Sequence, residues 1–376
     1  MFRNNTFTAL LLGAVGSFLL LGCAEQPAGD SSTEAAAEPA PEIVAPPAIE
    51  SAAPARDPRL ALFSPLPELM ESPAHSITLA KVNLGRKLYY DTRLSKNHDV
   101  SCNTCHLLDK FGVDGLPTSV GHKDQVGSRN APTVYNAAGH LAQFWDGRAV
   151  DVEDQAKGPP LNPIEMAMAD EAQVEAVLGS IPGYEPMFVA AFPEDEAPIS
   201  FNNMASAIGA FERGLTTPSR FDDYLAGDDE ALSEAEINGL AAFLDVGCVS
   251  CHSGAYVGGA IYQKLGIAKP WLAQTEATDL GRFDVTGEES DKQFFKVPSL
   301  RNISHTAPYF HDGSVASLNE AVRLMAEYQL GIELTNEQVI SIIAFLNALD
   351  GEVDAAYVAM PELPESSDTT PAPDPT

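Results

Sequence analysis

The pattern Cys-x-x-Cys-His occurs twice, as Cys102-Asn103-Thr104-Cys105-His106 and as Cys248-Val249-Ser250-Cys251-His252. This spacing is the attachment signature of a c-type haem. Two thiols one turn apart reach the two vinyl groups of one porphyrin, and the adjoining histidine reaches the iron from the same turn. A single Cys-x-x-Cys also fits a zinc knuckle or a redox pair. Two copies that both end in His, with no further cysteine downstream to complete a four-ligand zinc site, point to two covalently held haems. Each haem staples its own stretch of chain, so a fold must be built around each.

The sequence has five cysteines, and the haem motifs use four. The fifth, Cys23, follows Arg3 and the apolar run Thr8–Leu21. That run is too short and too poorly flanked for a spanning helix and reads as a signal peptide over residues 1–22. Leu20-Leu21-Gly22-Cys23 resembles a bacterial lipobox, which implies a lipidated Cys23 and export to the periplasm. Ala24 in place of Asp after that cysteine is the pattern associated with the outer membrane. No cysteine pair remains for a disulfide. Residues 23–58, rich in Ala, Pro and Glu, have too few large apolar side chains to build a core and read as a disordered tether. At ~3.1 Å per residue its reach is on the order of 100 Å. The Pro-, Ser- and Asp-rich stretch 361–376 reads as a disordered tail.

Between these ends lie roughly 300 residues, enough for two modest cores. The formal net charge of -31 argues against nucleic acid as a partner, since phosphates would meet no neutralising surface. It suits encounter with a basic redox protein, or serves solubility alone. Helix signals dominate. Ser233-x-x-Glu236, Thr335-x-x-Gln338, Ser317-x-x-Glu320 and Asp170-x-x-Gln173 each open a run of apolar residues at helical spacing. Another helix is expected near Leu79–Tyr90. Alternating strand patterns are scarce. The expectation is a mostly α protein of two cytochrome c-like haem domains, 59–216 and 217–360.

Each motif supplies one axial ligand, and the opposite position decides function: Met raises the potential, whereas an open or labile site permits chemistry. Downstream of the second motif the candidates are His305, His311 and Met325. Met325 lies far enough from His252 to fold back across the haem, although core packing on its helix face is the plainer alternative. In the first half the candidates are His122, His140, Met166 and Met168.

Longer stretches are more specific. Leu84-Gly-Arg-Lys-Leu-Tyr-Tyr-Asp91, Arg129-Asn-Ala-Pro-Thr-Val-Tyr-Asn136, Gln143-Phe-Trp-Asp-Gly-Arg148, Gln155-Ala-Lys-Gly-Pro159 and Asn162-Pro-Ile-Glu-Met166 lie around the first motif. Lys296-Val-Pro-Ser-Leu-Arg-Asn-Ile303 and Thr306-Ala-Pro-Tyr-Phe-His-Asp-Gly-Ser314 follow the second. Together they resemble the bacterial dihaem cytochrome c peroxidases, across nearly the whole ordered body. The same superfamily includes the methylamine-utilisation enzyme, whose second haem carries an axial Tyr where this chain has Met325.

The resemblance implies a periplasmic enzyme that reduces hydrogen peroxide to water with electrons from a small c-type cytochrome or copper protein. It implies that the second haem, between His252 and Met325, accepts and holds electrons. The first, between His106 and a displaceable His122, would meet peroxide. By motif match Glu165 is the acid/base, Gln155 the amide donor and Trp145 the aromatic between the haems. Asn130, Thr306 and Pro308 match a calcium site, and the family is often homodimeric. Two other readings remain: a dihaem electron carrier without enzymatic activity, and an oxidase acting on a partner protein.

Overall fold

The computed structural model describes residues 56–271 and 279–376. The expected signal peptide, Cys23 and nearly all of the tether therefore lie outside the described residues. No helix among the described residues is long and apolar enough to cross a membrane. The fold is mostly α. Its helices are α1 (Leu79–Tyr90), α2 (Cys102–Cys105), α3 (Val152–Gln155), α4 (Gly158–Leu161), α5 (Glu171–Gly179), α6 (Glu185–Ala191), α7 (Phe201–Glu212), α8 (Arg220–Ala226), α9 (Glu234–Val246), α10 (Phe283–Thr286), α11 (Leu318–Met325), α12 (Asn336–Asn347) and α13 (Ala355–Val358). The described strands are β1 (Tyr262–Lys264) and β2 (Phe294–Lys296), an antiparallel pair with Tyr262 opposite Lys296.

The predicted caps are present. Ser233 and Glu236 exchange hydrogen bonds at the start of α9, and Thr335 and Gln338 do so at the start of α12. The Asp170 and Ser317 side chains cap α5 and α11 by accepting from the N–H three residues on.

The two halves are built by the same device. In the first, α1 crosses α7 so closely that a Cβ on Gly85 would lie 1.8 Å from the Ala207 carbonyl oxygen. In the second, α9 crosses α12 at Gly239, where a Cβ would lie 2.0 Å from the Ser341 carbonyl oxygen. Only glycine permits either approach. Around the first crossing Leu84, Leu88, Tyr89, Phe188, Met204 and Phe211 form one core; around the second Phe221, Leu240, Phe243, Val339, Ile342 and Phe345 form another. Arg301, fully buried, ties α8 into the second half through Asp222, with Nη1–Oδ2 at 2.5 Å and Nη2–Oδ1 at 2.8 Å.

The chain ends depart from the expected boundaries. Phe63 packs edge-on against Phe221 at 5.3 Å and belongs to the second core, although it precedes the first haem motif. At the other end, Tyr357 stacks on Phe211 at 5.2 Å and donates to its carbonyl oxygen at 2.8 Å, so this segment joins the first core.

Residues 361–376, expected to be a disordered tail, instead lie along the first half. Arg93 Nη1 donates to the Pro364 carbonyl at 2.9 Å and Ser367 Oγ to that of Ser180 at 2.7 Å. The Asp374 N–H donates to the Lys96 carbonyl at 2.9 Å, and Lys123 Nζ donates to the Thr376 backbone oxygen. Composition misses this because the segment is held by polar contacts supplied from elsewhere, with Leu363 its main apolar anchor.

Candidate active site

Both haem motifs sit where a helix end meets a cavity. In the second half α9 ends at Gly247, whose φ of 99° needs no Cβ, and the chain turns at once into Cys248–Ser250. Cys248, Cys251 and His252 line a deep, almost wholly apolar cavity of about 1210 Å³ counted with its mouth. Met325, at the end of α11, lines the same cavity, as does His311. His252 Nδ1 lies 3.4 Å from the Val257 carbonyl, and burial pulls the ring down to about 4, which keeps it neutral and able to ligate. His305 is elsewhere: it stacks on Phe111 at 3.9 Å and approaches Asp350 at 3.4 Å.

In the first half the Ser101 N–H donates to Thr104 Oγ1 at 2.9 Å, fixing the turn that carries Cys102 and Cys105. Tyr89 Oη donates to the His106 carbonyl at 2.8 Å. Cys105 and His106 line a second cavity of similar size, far more polar than the first. Its other walls carry Gln155, Glu165, Arg148, Asn162 and Glu212. Burial pushes the Cys105 and Cys248 thiols up to about 11, so as free thiols they would be poor nucleophiles. The four described cysteines form no disulfide. Paired thiols, a neutral His and a large cavity at each motif fit covalent haem.

Glu165 is placed by the turn 162–166. Asn162 Nδ2 donates to Glu165 Oε1 at 2.7 Å. Burial raises the Glu165 carboxyl above its ordinary value, with Arg148 and Asn162 opposing. A carboxyl so placed exchanges protons nearer neutral pH. The turn also leans on Gly121, where a Cβ would lie 2.1 Å from the Ile164 carbonyl oxygen.

The structure does not bring His122 into this cavity. Its N–H donates to the Glu165 carbonyl at 2.9 Å, and its buried Nδ1 has no partner. The ring sits in a tight turn closed by the Val120–Val126 bridge. Met166 and Met168 are core residues and line no haem cavity.

Trp145 borders both haem cavities and a smaller one between the halves. Its Nε1 donates to the Asn130 carbonyl at 2.9 Å, and its own carbonyl accepts from the Lys296 N–H at 2.8 Å. The ring is thus tied to its own half and the backbone of Trp145 to the other. Asn130, Thr306 and Pro308 all line the smaller cavity. Asn130 Nδ2 donates to the Leu116 carbonyl at 2.9 Å, leaving Oδ1 as an acceptor, and no backbone N–H among the described residues reaches the Thr306 or Pro308 carbonyl. His140 lies on the wall of this cavity.

The sequence reading missed Glu212, Arg148 and the pairing of Glu153 with Arg213. Glu153 accepts from Arg213 Nε and Nη2, each at 2.7 Å, and both side chains are buried. Glu212 sits next to this pair. Burial first, and then the Glu153 charge, push its carboxyl up to about 8.

The family model for "Di-haem cytochrome c peroxidase" matches residues 79–230. The chain is 48% identical over 316 residues to the cytochrome c551 peroxidase of Pseudomonas aeruginosa, covering 83% of this chain and 90% of that one. The chain belongs to the dihaem cytochrome c peroxidase family. The cytochrome c peroxidase of Escherichia coli is 45% identical over 76% of this chain and 60% of its own length. The methylamine utilization protein MauG of Methylophilus methylotrophus is 33% identical over 80% of this chain and 90% of its own. Among solved structures, a MauG-like protein associated with microbial copper homeostasis superposes with a TM-score of 0.70 at 31% identity, covering 79% of this chain and 97% of that one. As a dihaem peroxidase-type oxidoreductase, the chain has two c-type haem sites, which are the two cavities that carry the Cys-x-x-Cys-His motifs.

Proposed function

We propose that this protein reduces hydrogen peroxide to two waters, taking two electrons from a small c-type cytochrome or copper protein and two protons from solvent. The observation that carries this reading is the inequality of the two cavities. One is apolar and is lined by both His252 and Met325; the other is lined by Glu165 and Gln155 together with Cys105 and His106. When bound, the haems supply iron coordination and electron storage. The remaining work falls to the side chains.

Peroxide entering the polar cavity must lose a proton from one oxygen and gain one on the other as the O–O bond breaks. Glu165, raised by burial and oriented by Asn162, takes the first proton and returns it to the leaving oxygen. The Gln155 amide stabilises charge on that oxygen without itself giving up a proton. Trp145, clamped from both halves, provides the contact between the electron-holding and the reacting centre. Met325 in the apolar cavity favours a high potential there. His122 would ligate the first iron only after the 120–126 turn reorganises, so it serves as a gate; such elements belong to the less stable parts of a fold. The choice of Met325 where the MauG-type enzyme has Tyr favours peroxidase over protein oxidase.

The three available oxygens of Asn130, Thr306 and Pro308 suit calcium, a hard cation that takes oxygen ligands. Because they come from both halves, calcium would couple docking of the halves to Trp145. The lipobox-like Cys23 and the acidic composition support a periplasmic, lipid-anchored protein that meets a basic donor, with the outer membrane the favoured anchor site and a homodimer the family precedent. Steady-state peroxide reduction with reduced cytochrome c tests the reading. Glu165→Gln should slow turnover ~10²–10⁴-fold at unchanged haem content. Turnover equal to the parent would remove Glu165 from the chemistry.

A further inference from the structure

Lys296, at the end of β2, is 7% exposed, and its Nζ finds only His140 Nδ1, at 3.3 Å. No carboxylate lies within ion-pair distance of it among the described residues. The carboxylate whose charge bears on it is Asp146, but that group is already shared by Arg129 at 2.5 Å and Arg148 at 3.1 Å. The other nitrogen of His140, Nε2, is buried without a partner. The ring cannot move away, because it stands edge-on to Tyr256 at 5.5 Å and over Gly259, where a Cβ would lie 2.3 Å from its Cδ2. Desolvation pulls the Lys296 ammonium down to about 8.

An ammonium removed from water without an anion is costly, and proteins rarely tolerate one unpaired. Lys296 lines the C-terminal haem cavity and also the smaller cavity between the halves, which His140 lines too. Each haem carries two propionate carboxylates on the edge away from its thioethers. We propose that Lys296, backed by His140, is the anchor for a haem propionate at the wall between these cavities, and that it sets the potential of the haem it holds. This rests on the dihaem reading and not on peroxidase activity. A cation fixed beside the propionate offsets part of its charge, and reduction adds one more negative charge to the haem. The pair therefore favours the reduced form. Its backbone N–H bond to Trp145 places this anchor beside the contact between the centres.

Redox titration of the purified dihaem protein, without peroxide, tests the inference. Lys296→Gln should lower the midpoint potential of one haem by at least a tenfold change in its oxidised-to-reduced ratio, which is about 59 mV for one electron. Lys296→Arg should restore most of the potential. A shift in the Met-ligated haem assigns the propionate to the C-terminal cavity, and a shift in the other haem assigns it to the N-terminal one. His140→Gln keeps the lysine and should move the same haem in the same direction by less, which also serves if Lys296→Gln fails to mature. Haem content from the pyridine haemochrome spectrum confirms loading. Unchanged potentials of both haems in fully loaded Lys296→Gln, or in His140→Gln where Lys296→Gln does not mature, would overturn the proposal. A failure of peroxide turnover alone would leave these potentials untouched and would count only against the enzymatic reading.

Discussion

Replacing Glu212 by glutamine should change how stability depends on pH. In the folded protein burial and the neighbouring Glu153 charge hold the Glu212 proton up to about 8, against an ordinary 4.5; Arg213 opposes them. Tyr89 of α1 and Cys102 of α2 also face this group. The unfolded chain releases the proton first, so between these two values it binds fewer protons than the native state. Stability then falls as pH rises. The full gap corresponds to about 5 kcal/mol at 1.36 kcal/mol per tenfold change in proton affinity. Integrated over the interval from about pH 5 to pH 9, the loss is on the order of 4 kcal/mol. A glutamine at this position has no proton to release and keeps the volume and a neutral polar head. Chemical denaturation of the haem-loaded protein at a series of pH values should show the parent losing stability across this range, with Glu212→Gln flatter by that amount and more stable at the alkaline end. A slope in Glu212→Gln equal to that of the parent would refute the argument that Glu212 is buried as a neutral acid.

Two further perturbations test the scaffold. Gly239→Ala should destabilise the second half by about 1–3 kcal/mol, because the new methyl meets the Ser341 carbonyl and forces α9 from α12; thermal unfolding measures it. Deleting residues 361–376 removes the contacts to Lys96, Ser180 and Lys123 and should expose the 120–126 turn to limited proteolysis at unchanged haem content. Identical cleavage patterns would show that the tail does not restrain it.

Much of this architecture could be read from the chain because its signals are local. The haem motifs occupy five residues each, and the caps of α9 and α12 lie within one turn of the apolar runs they open. Met325 is a candidate on its distance from His252, while its helix face speaks for packing; in the structure it lines the cavity of the second motif. The unreadable features are those made by distant chain segments. Glu212 becomes unusual because the fold buries it and α3 then brings the Glu153 charge beside it, and Lys296 because β2 carries it to a wall without a carboxylate. The final segment misleads for the same reason: its polar composition matches a disordered tail, while its hydrogen-bond partners come from Arg93, Lys96 and Ser180. His122 shows a different limit. The family resemblance implies a ligand there, whereas the structure holds it in a turn bonded to Glu165 and outside the cavity.

The most direct test of two haems made unequal by their far faces is a spectroscopic titration with peroxide and cyanide at each redox level. The account predicts that after one-electron reduction the centre in the Met325-lined cavity holds the electron, while the N-terminal centre binds both ligands and turns peroxide over. Two centres that remain six-coordinate and inert to both ligands in the oxidised, half-reduced and reduced protein would contradict it.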